Sequence, residues 1–184
     1  MRYFLILVII FSCNTGDQYY IQKPRALVKI PLPLTSTNCF ENDVFKCYYS
    51  QSSKINTIDS LTYSISYDMY NANIYFRLQK VVNLDRHMID FEKLISIHEQ
   101  KGANVEVKIC ENKMQSIYGF LCFLYGENIA TSAQFILTDS IEYYVSGGLE
   151  FNTSIGSDIL LENKIMQSEI FNFVESFRWA SIDE

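Results

Sequence analysis

The alternation of apolar and polar positions divides the chain into strands and two helices. Leu61, Tyr63, Ile65 and Tyr67 alternate with Thr62, Ser64 and Ser66, the period of two expected of a half-buried strand. Ile74, Phe76 and Leu78 alternate in the same way after a turn formed by Asp68, Met69, Tyr70 and Asn71, so this pair reads as a hairpin. Residues 26–30 and 44–48 are further candidate strands, the first closed by Pro31 and Pro33, which cannot donate to a ladder. Between residues 84 and 101 the period changes. Leu84, Met88, Phe91, Ile95 and His98 recur every three to four residues and predict an amphipathic helix, capped by Asn83 and followed by Gly102 in the left-handed conformation. Residues 105–109, 117–125, 129–137 and 141–151 then predict four strands joined by short turns, an antiparallel meander. A second helix is predicted over 158–177, capped by Ser157 or Asp158, with Leu161, Ile165, Met166, Ile170, Phe173, Val174 and Phe177 as its packing face.

Strands, helix, strands, helix is an α+β pattern: a largely antiparallel sheet of about six to eight strands with two main helices packed on it. Thirteen Tyr, thirteen Phe and only three Pro agree with a strand-rich fold. The length suits one domain over residues 24–184, and no repeat or second boundary interrupts it.

The first residues do not belong to that domain. Arg2 precedes an apolar run over 3–11, too short to cross a bilayer core about 30 Å thick. Ser12 and Cys13 follow, with the pattern of a lipobox: a small residue before a thiol that accepts diacylglycerol. Residues 1–12 therefore read as a lipoprotein signal peptide, Cys13 as the lipidation site, and residues 13–23 as a tether to an envelope domain facing the periplasm. Acyl chains such as palmitate anchor through about 0.8 kcal/mol per buried CH₂.

A net charge of -6 argues against a nucleic-acid partner. Cys39, Cys47, Cys110 and Cys122 remain after Cys13, an even number that an oxidising compartment can pair, with Cys110 and Cys122 placed to face each other across a hairpin. Four buried thiols are the equal alternative. The lack of a Cys-x-x-Cys motif and a total of two His argue against a metal site, and no cofactor is expected. No nucleophile–base pair stands out, so the chain is not read as an enzyme. Glu92, Glu99, Glu162 and Glu169 read as solvated helix positions, and Asp139 as a turn former. Tyr143, Tyr144, Arg178 and Trp179 gather aromatic character and a cation near the last strand and the C-terminus, a possible partner contact, with core packing as the competing reading.

Several segments together resemble a known family. Gln22-Lys23-Pro24-Arg25 leads into a strand; Ile117-Tyr118-Gly119-Phe120 and Gly126-Glu127-Asn128 form a central hairpin; Gln134-Phe135-Ile136-Leu137-Thr138-Asp139-Ser140 is followed by Gly148-Leu149-Glu150-Phe151; Val174-Glu175-Ser176-Phe177-Arg178-Trp179 closes the chain. Their order and spacing resemble the GldD gliding motility lipoproteins of the Bacteroidota. Ser146 and Ile155-Gly156 depart from that pattern. The resemblance implies a non-catalytic envelope component needed for gliding and linked to type IX secretion, with envelope proteins of that machinery as partners. A periplasmic small-ligand-binding lipoprotein, its pocket enclosed by the sheet and the first helix, is the alternative.

Overall fold

The computed structural model describes residues 36–126, 129–156 and 158–180. The predicted strand at 26–30, the signal segment and Cys13 lie outside these residues.

Among the described residues, ten strands and two α-helices follow in the order β1 (Thr37–Glu41), β2 (Phe45–Ser50), β3 (Lys54–Thr57), β4 (Thr62–Tyr67), β5 (Ala72–Lys80), α1 (Leu84–Gln100), β6 (Asn104–Asn112), β7 (Ile117–Tyr125), β8 (Ile129–Thr138), β9 (Tyr143–Ile155), α2 (Leu160–Ser176) and β10 (Arg178–Trp179). Seven strands form one sheet in the order β3-β4-β5-β9-β8-β7-β6, and β1-β2-β10 form a small second sheet. Every pairing is antiparallel. The fold is α+β, with the expected hairpin β4–β5 and meander β6 to β9.

Helix α1 explains the strand order. It carries the chain from β5 to the far edge of the sheet, and the meander returns until β9 pairs with β5. Asn83 accepts a hydrogen bond from the Arg86 N–H at 2.9 Å, and Gly102 at φ +92° ends the helix, as the sequence predicts. Phe91 and Ile95 are the buried residues of α1; they pack with Cys122, Ile136 and Tyr144 on one face of the sheet.

The opposite face carries the larger core. Tyr63, Ile65, Ile74, Phe76, Phe135, Leu137, Val145 and Leu149 meet Met166, Ile170, Phe173 and Val174 of α2, with Phe45 and Cys47 of the small sheet alongside. Gly147 sits between Phe76 and Phe135 in the strand registers; a Cβ there would stand 2.1 Å from the Tyr75 carbonyl oxygen and 2.7 Å from Phe76 Cβ. On the same face Phe173 packs on both rings, 5.0 Å from Phe76 and 5.7 Å from Phe135.

Four sequence expectations are corrected here. Helix α2 begins at Leu160 with Ile159 in the cap position and no side-chain cap, so Asp158 does not serve. Leu161 is exposed, and the buried face instead includes Asn163 and Gln167. Glu169 is not a solvated position: it is half-buried and accepts a hydrogen bond from the Tyr67 hydroxyl at 3.2 Å. Glu162 is likewise half-buried, with one carboxylate oxygen enclosed and without a hydrogen-bond partner among the described residues.

The disulfide expectation also fails on register. Cys39 pairs with Tyr48 and Cys47 with Phe40, so these two side chains point to opposite faces. Cys110 pairs with Gly119 and Cys122 with Val107; that odd offset sends their side chains to opposite faces as well. All four are free thiols, Cys39 exposed and the others buried.

Candidate functional site

The residues singled out from the sequence do not form one patch. Strand β10 pairs with β2, Arg178 opposite Lys46 and Trp179 opposite Phe45, and its alternation sends Arg178 and Trp179 to opposite sides. Trp179 meets Phe177 edge-on at 5.0 Å and lies nearly parallel to Tyr143 at 6.4 Å. It is half-buried, and its indole N–H is enclosed without an acceptor among the described residues. Lys80 completes this corner, 5.8 Å from the Tyr143 ring and 3.7 Å from a Glu142 carboxylate oxygen. A hydrogen bond with Glu142, followed by burial, raises the Tyr143 hydroxyl above its ordinary pKa.

Tyr144 follows Tyr143 and therefore faces the other way, under α1. It is 6% exposed and lies tilted against the His87 ring with centroids 4.3 Å apart. Arg178 donates to the carbonyl oxygens of Glu175 at 2.6 Å and Phe177 at 2.5 Å, tying down the end of α2. Tyr143 and Trp179 thus share an aromatic corner, whereas Tyr144 and Arg178 serve packing and capping elsewhere.

The two larger of the described clefts flank the sheet. One, of about 290 Å³, opens between α1 and strands β8 and β9, lined by His87, Asp90, Leu94, Gln134, Tyr144 and Ser146. The Nε2 of His87 is buried without a partner among the described residues, while Asp90 is held by Lys93 at 3.1 Å. His98, half-buried on the same helix, is held below the ordinary imidazole pKa by burial, with Lys101 adding to the effect. The amide, hydroxyl and imidazole groups lining this cleft can donate and accept hydrogen bonds to a small polar molecule.

The other cleft, of about 450 Å³, lies between α2 and strands β6 and β7, lined by Glu106, Lys108, Tyr125, Lys164, Gln167 and Phe171. Beneath it, the Ser132 hydroxyl donates to Asn163 Oδ1, and Gln167 Nε2 donates to Ser132 Oγ at 3.1 Å. No group of three or more His, Cys, Asp or Glu among the described residues is arranged to hold a metal ion.

The sequence matches the family model for the gliding motility lipoprotein GldD over residues 17–179. That span takes in every described strand and both helices. The chain belongs to the GldD family of gliding motility lipoproteins. No curated protein matches it. The family resemblance drawn from the segments is thereby confirmed, and a GldD lipoprotein is a protein of the cell envelope. No helix among the described residues of this GldD chain is long and apolar enough to cross a membrane.

The buried polar set Ser132, Asn163 and Gln167 was missed by apolar patterning, because two of its members occupy the hydrophobic face of α2. Their spacing carries the signal: Asn163, Met166, Gln167, Ile170, Phe173 and Val174 keep the helical period once polar residues are admitted.

Proposed function

We propose that this GldD-family chain is a lipid-anchored, non-catalytic assembly component of the gliding apparatus, associated with type IX secretion and facing the periplasm. In this reading residues 1–12 are removed as a signal peptide, and Cys13 carries the acyl chains. The domain meets envelope proteins through its surface, with Tyr143 and Trp179 as the aromatic contact. The observation that carries the proposal is the family match over residues 17–179, which runs through every described strand and both helices.

Cys13→Ser tests the anchor. Metabolic labelling with a fatty-acid analogue should mark the wild-type chain and leave the variant unlabelled, as a slower-migrating precursor in cells that lose gliding. Equal label in both chains overturns the lipidation site. Crosslinking intact envelopes and recovering the tagged chain should yield secretion-machinery proteins; recovery of none removes the assembly role.

The cleft between α1 and the sheet favours a second reading, a small-ligand-binding lipoprotein. Native mass spectrometry of the chain purified from envelopes separates the two. A retained small molecule supports the ligand reading, and a bare mass supports the assembly reading.

A further inference from the structure

The outer edge of β6 is built to pair with another strand, and we infer that its partner is the β6 edge of a second copy of this chain. Strand β6 ends the seven-stranded sheet, and among the described residues nothing pairs with its outer side. The opposite edge, β3, is short and carries Lys54, Asn56 and Thr57 exposed, an ordinary defence against unwanted pairing. Strand β6 also carries exposed charges, Glu106, Lys108 and Glu111, but it is longer and regular. It spans Asn104–Asn112 without proline, and its register with β7 runs without a bulge. Val107 is 55% and Ile109 77% exposed on the α1 face, where Ile109 lies opposite the 37% exposed Phe120. The three make one exposed apolar strip beside the open backbone edge.

Charge and register identify the occupant. Glu106 and Lys108 share the α2 face of β6 but are not paired with each other. Among the described residues, Glu106 accepts from the Tyr125 hydroxyl at 3.1 Å and pairs with no cation. Lys108 lies over the rings of Phe123 at 5.3 Å and Phe171 at 4.9 Å, with no carboxylate partner among the described residues. A two-fold axis perpendicular to the sheet brings two β6 strands together antiparallel and keeps the two faces in register. Placed at Val107, that axis sets Glu106 opposite the partner's Lys108 and Lys108 opposite the partner's Glu106. On the other face Val107 meets the partner's Val107, and Val105 meets the partner's Ile109. Moving the axis to Lys108 or to Glu106 sets like charges against each other, which destabilises a strand pair. The segment Val105-Glu106-Val107-Lys108-Ile109 is therefore complementary to itself in charge and apolarity at one register. The result is an isologous dimer with one continuous sheet.

Two differently tagged full-length chains, co-expressed and solubilised in detergent, test this by co-purification. Wild type should recover wild type. Glu106→Lys should lose self-recovery by about tenfold, because each copy then presents lysine to lysine, and Lys108→Glu should lose it likewise. Glu106→Lys mixed with Lys108→Glu should restore it, since every opposed pair is again of opposite sign, and the double variant carrying both changes should recover itself. Both positions are exposed, so melting temperatures should match the wild type and show that each variant folds. Equal recovery in every combination, or none for wild type, overturns the dimer. Loss of a different protein with both single variants, without restoration on mixing, assigns the edge to another partner and overturns the second-copy assignment.

Discussion

At the scale of single residues, side chains that look alike in sequence end in different environments. Glu92 and Glu169 are both helix carboxylates, yet Glu92 is exposed while Glu169 is half-buried beside the Tyr67 hydroxyl. Burial raises the Glu169 pKa and outweighs the Tyr67 hydrogen bond, which lowers it. The folded state therefore holds this proton more tightly than the unfolded chain does. Its contribution to stability is greatest below the ordinary carboxylate pKa and is lost as the pH rises through that value towards the raised one. Glu169→Gln keeps an acceptor for Tyr67 and removes the titration. Urea unfolding at pH 4 and pH 7 should show the variant gaining on the wild type as the pH rises; a wild-type advantage that is the same at both pH values would refute the buried carboxylate. No periodicity argument could have identified Glu169, because the tyrosine that covers it stands on β4, far away in sequence. Asp139 was legible for the opposite reason. Its carboxylate accepts from the N–H groups of Ile141, Glu142 and Tyr143 at 2.8, 2.8 and 3.0 Å, all within a few residues.

At the scale of elements, amphipathic period predicted α1 well and α2 only in part. The stripe from Leu84 through Phe91 and Ile95 to His98 is the face that α1 turns to the sheet, although Ile89, Leu94 and Ile97 remain exposed among the polar residues of its outer side. Phe91→Ala should lower the unfolding free energy by about 3–5 kcal/mol, whereas the exposed Glu92→Ala should change it by no more than about 0.5 kcal/mol. Denaturant titrations giving similar losses for the two would show that the helix face is wrongly assigned. Helix α2 lies between the main sheet and the small one, so apolar residues no longer mark a single side. Leu160 and Leu161 are exposed while Asn163 and Gln167 are buried, and the buried amides are tolerated because Ser132 satisfies them. Strands β1, β3 and β10 escaped prediction: they are short, and their polar residues are stabilised by a neighbouring strand rather than by their own pattern.

At the scale of the whole molecule, the stacking of layers decides which groups solvent can reach. Burial pushes the Cys47 thiol up to about 12 and those of Cys110 and Cys122 up to about 11, while Cys39 stands exposed on β1. With Cys13 acylated, alkylation at pH 8 should label Cys39 quickly and the other three only at the rate of unfolding, as peptide mapping by mass spectrometry can show. Four equal rates, or a peptide joining Cys39 to Cys47, would contradict this fold. The sequence by itself determined the α+β class, the hairpin, the meander, the first helix and the family, because each of these is written in local periodicity, turn chemistry or the order of short segments. Only the tertiary structure decided that the four cysteines stay apart, that Tyr143 meets Trp179 while Tyr144 lies under α1, and that no strand among the described residues pairs with the outer edge of β6. Those outcomes rest on strand register and sheet order, and a one-residue change of register sends every side chain of a strand to the other face without altering its pattern.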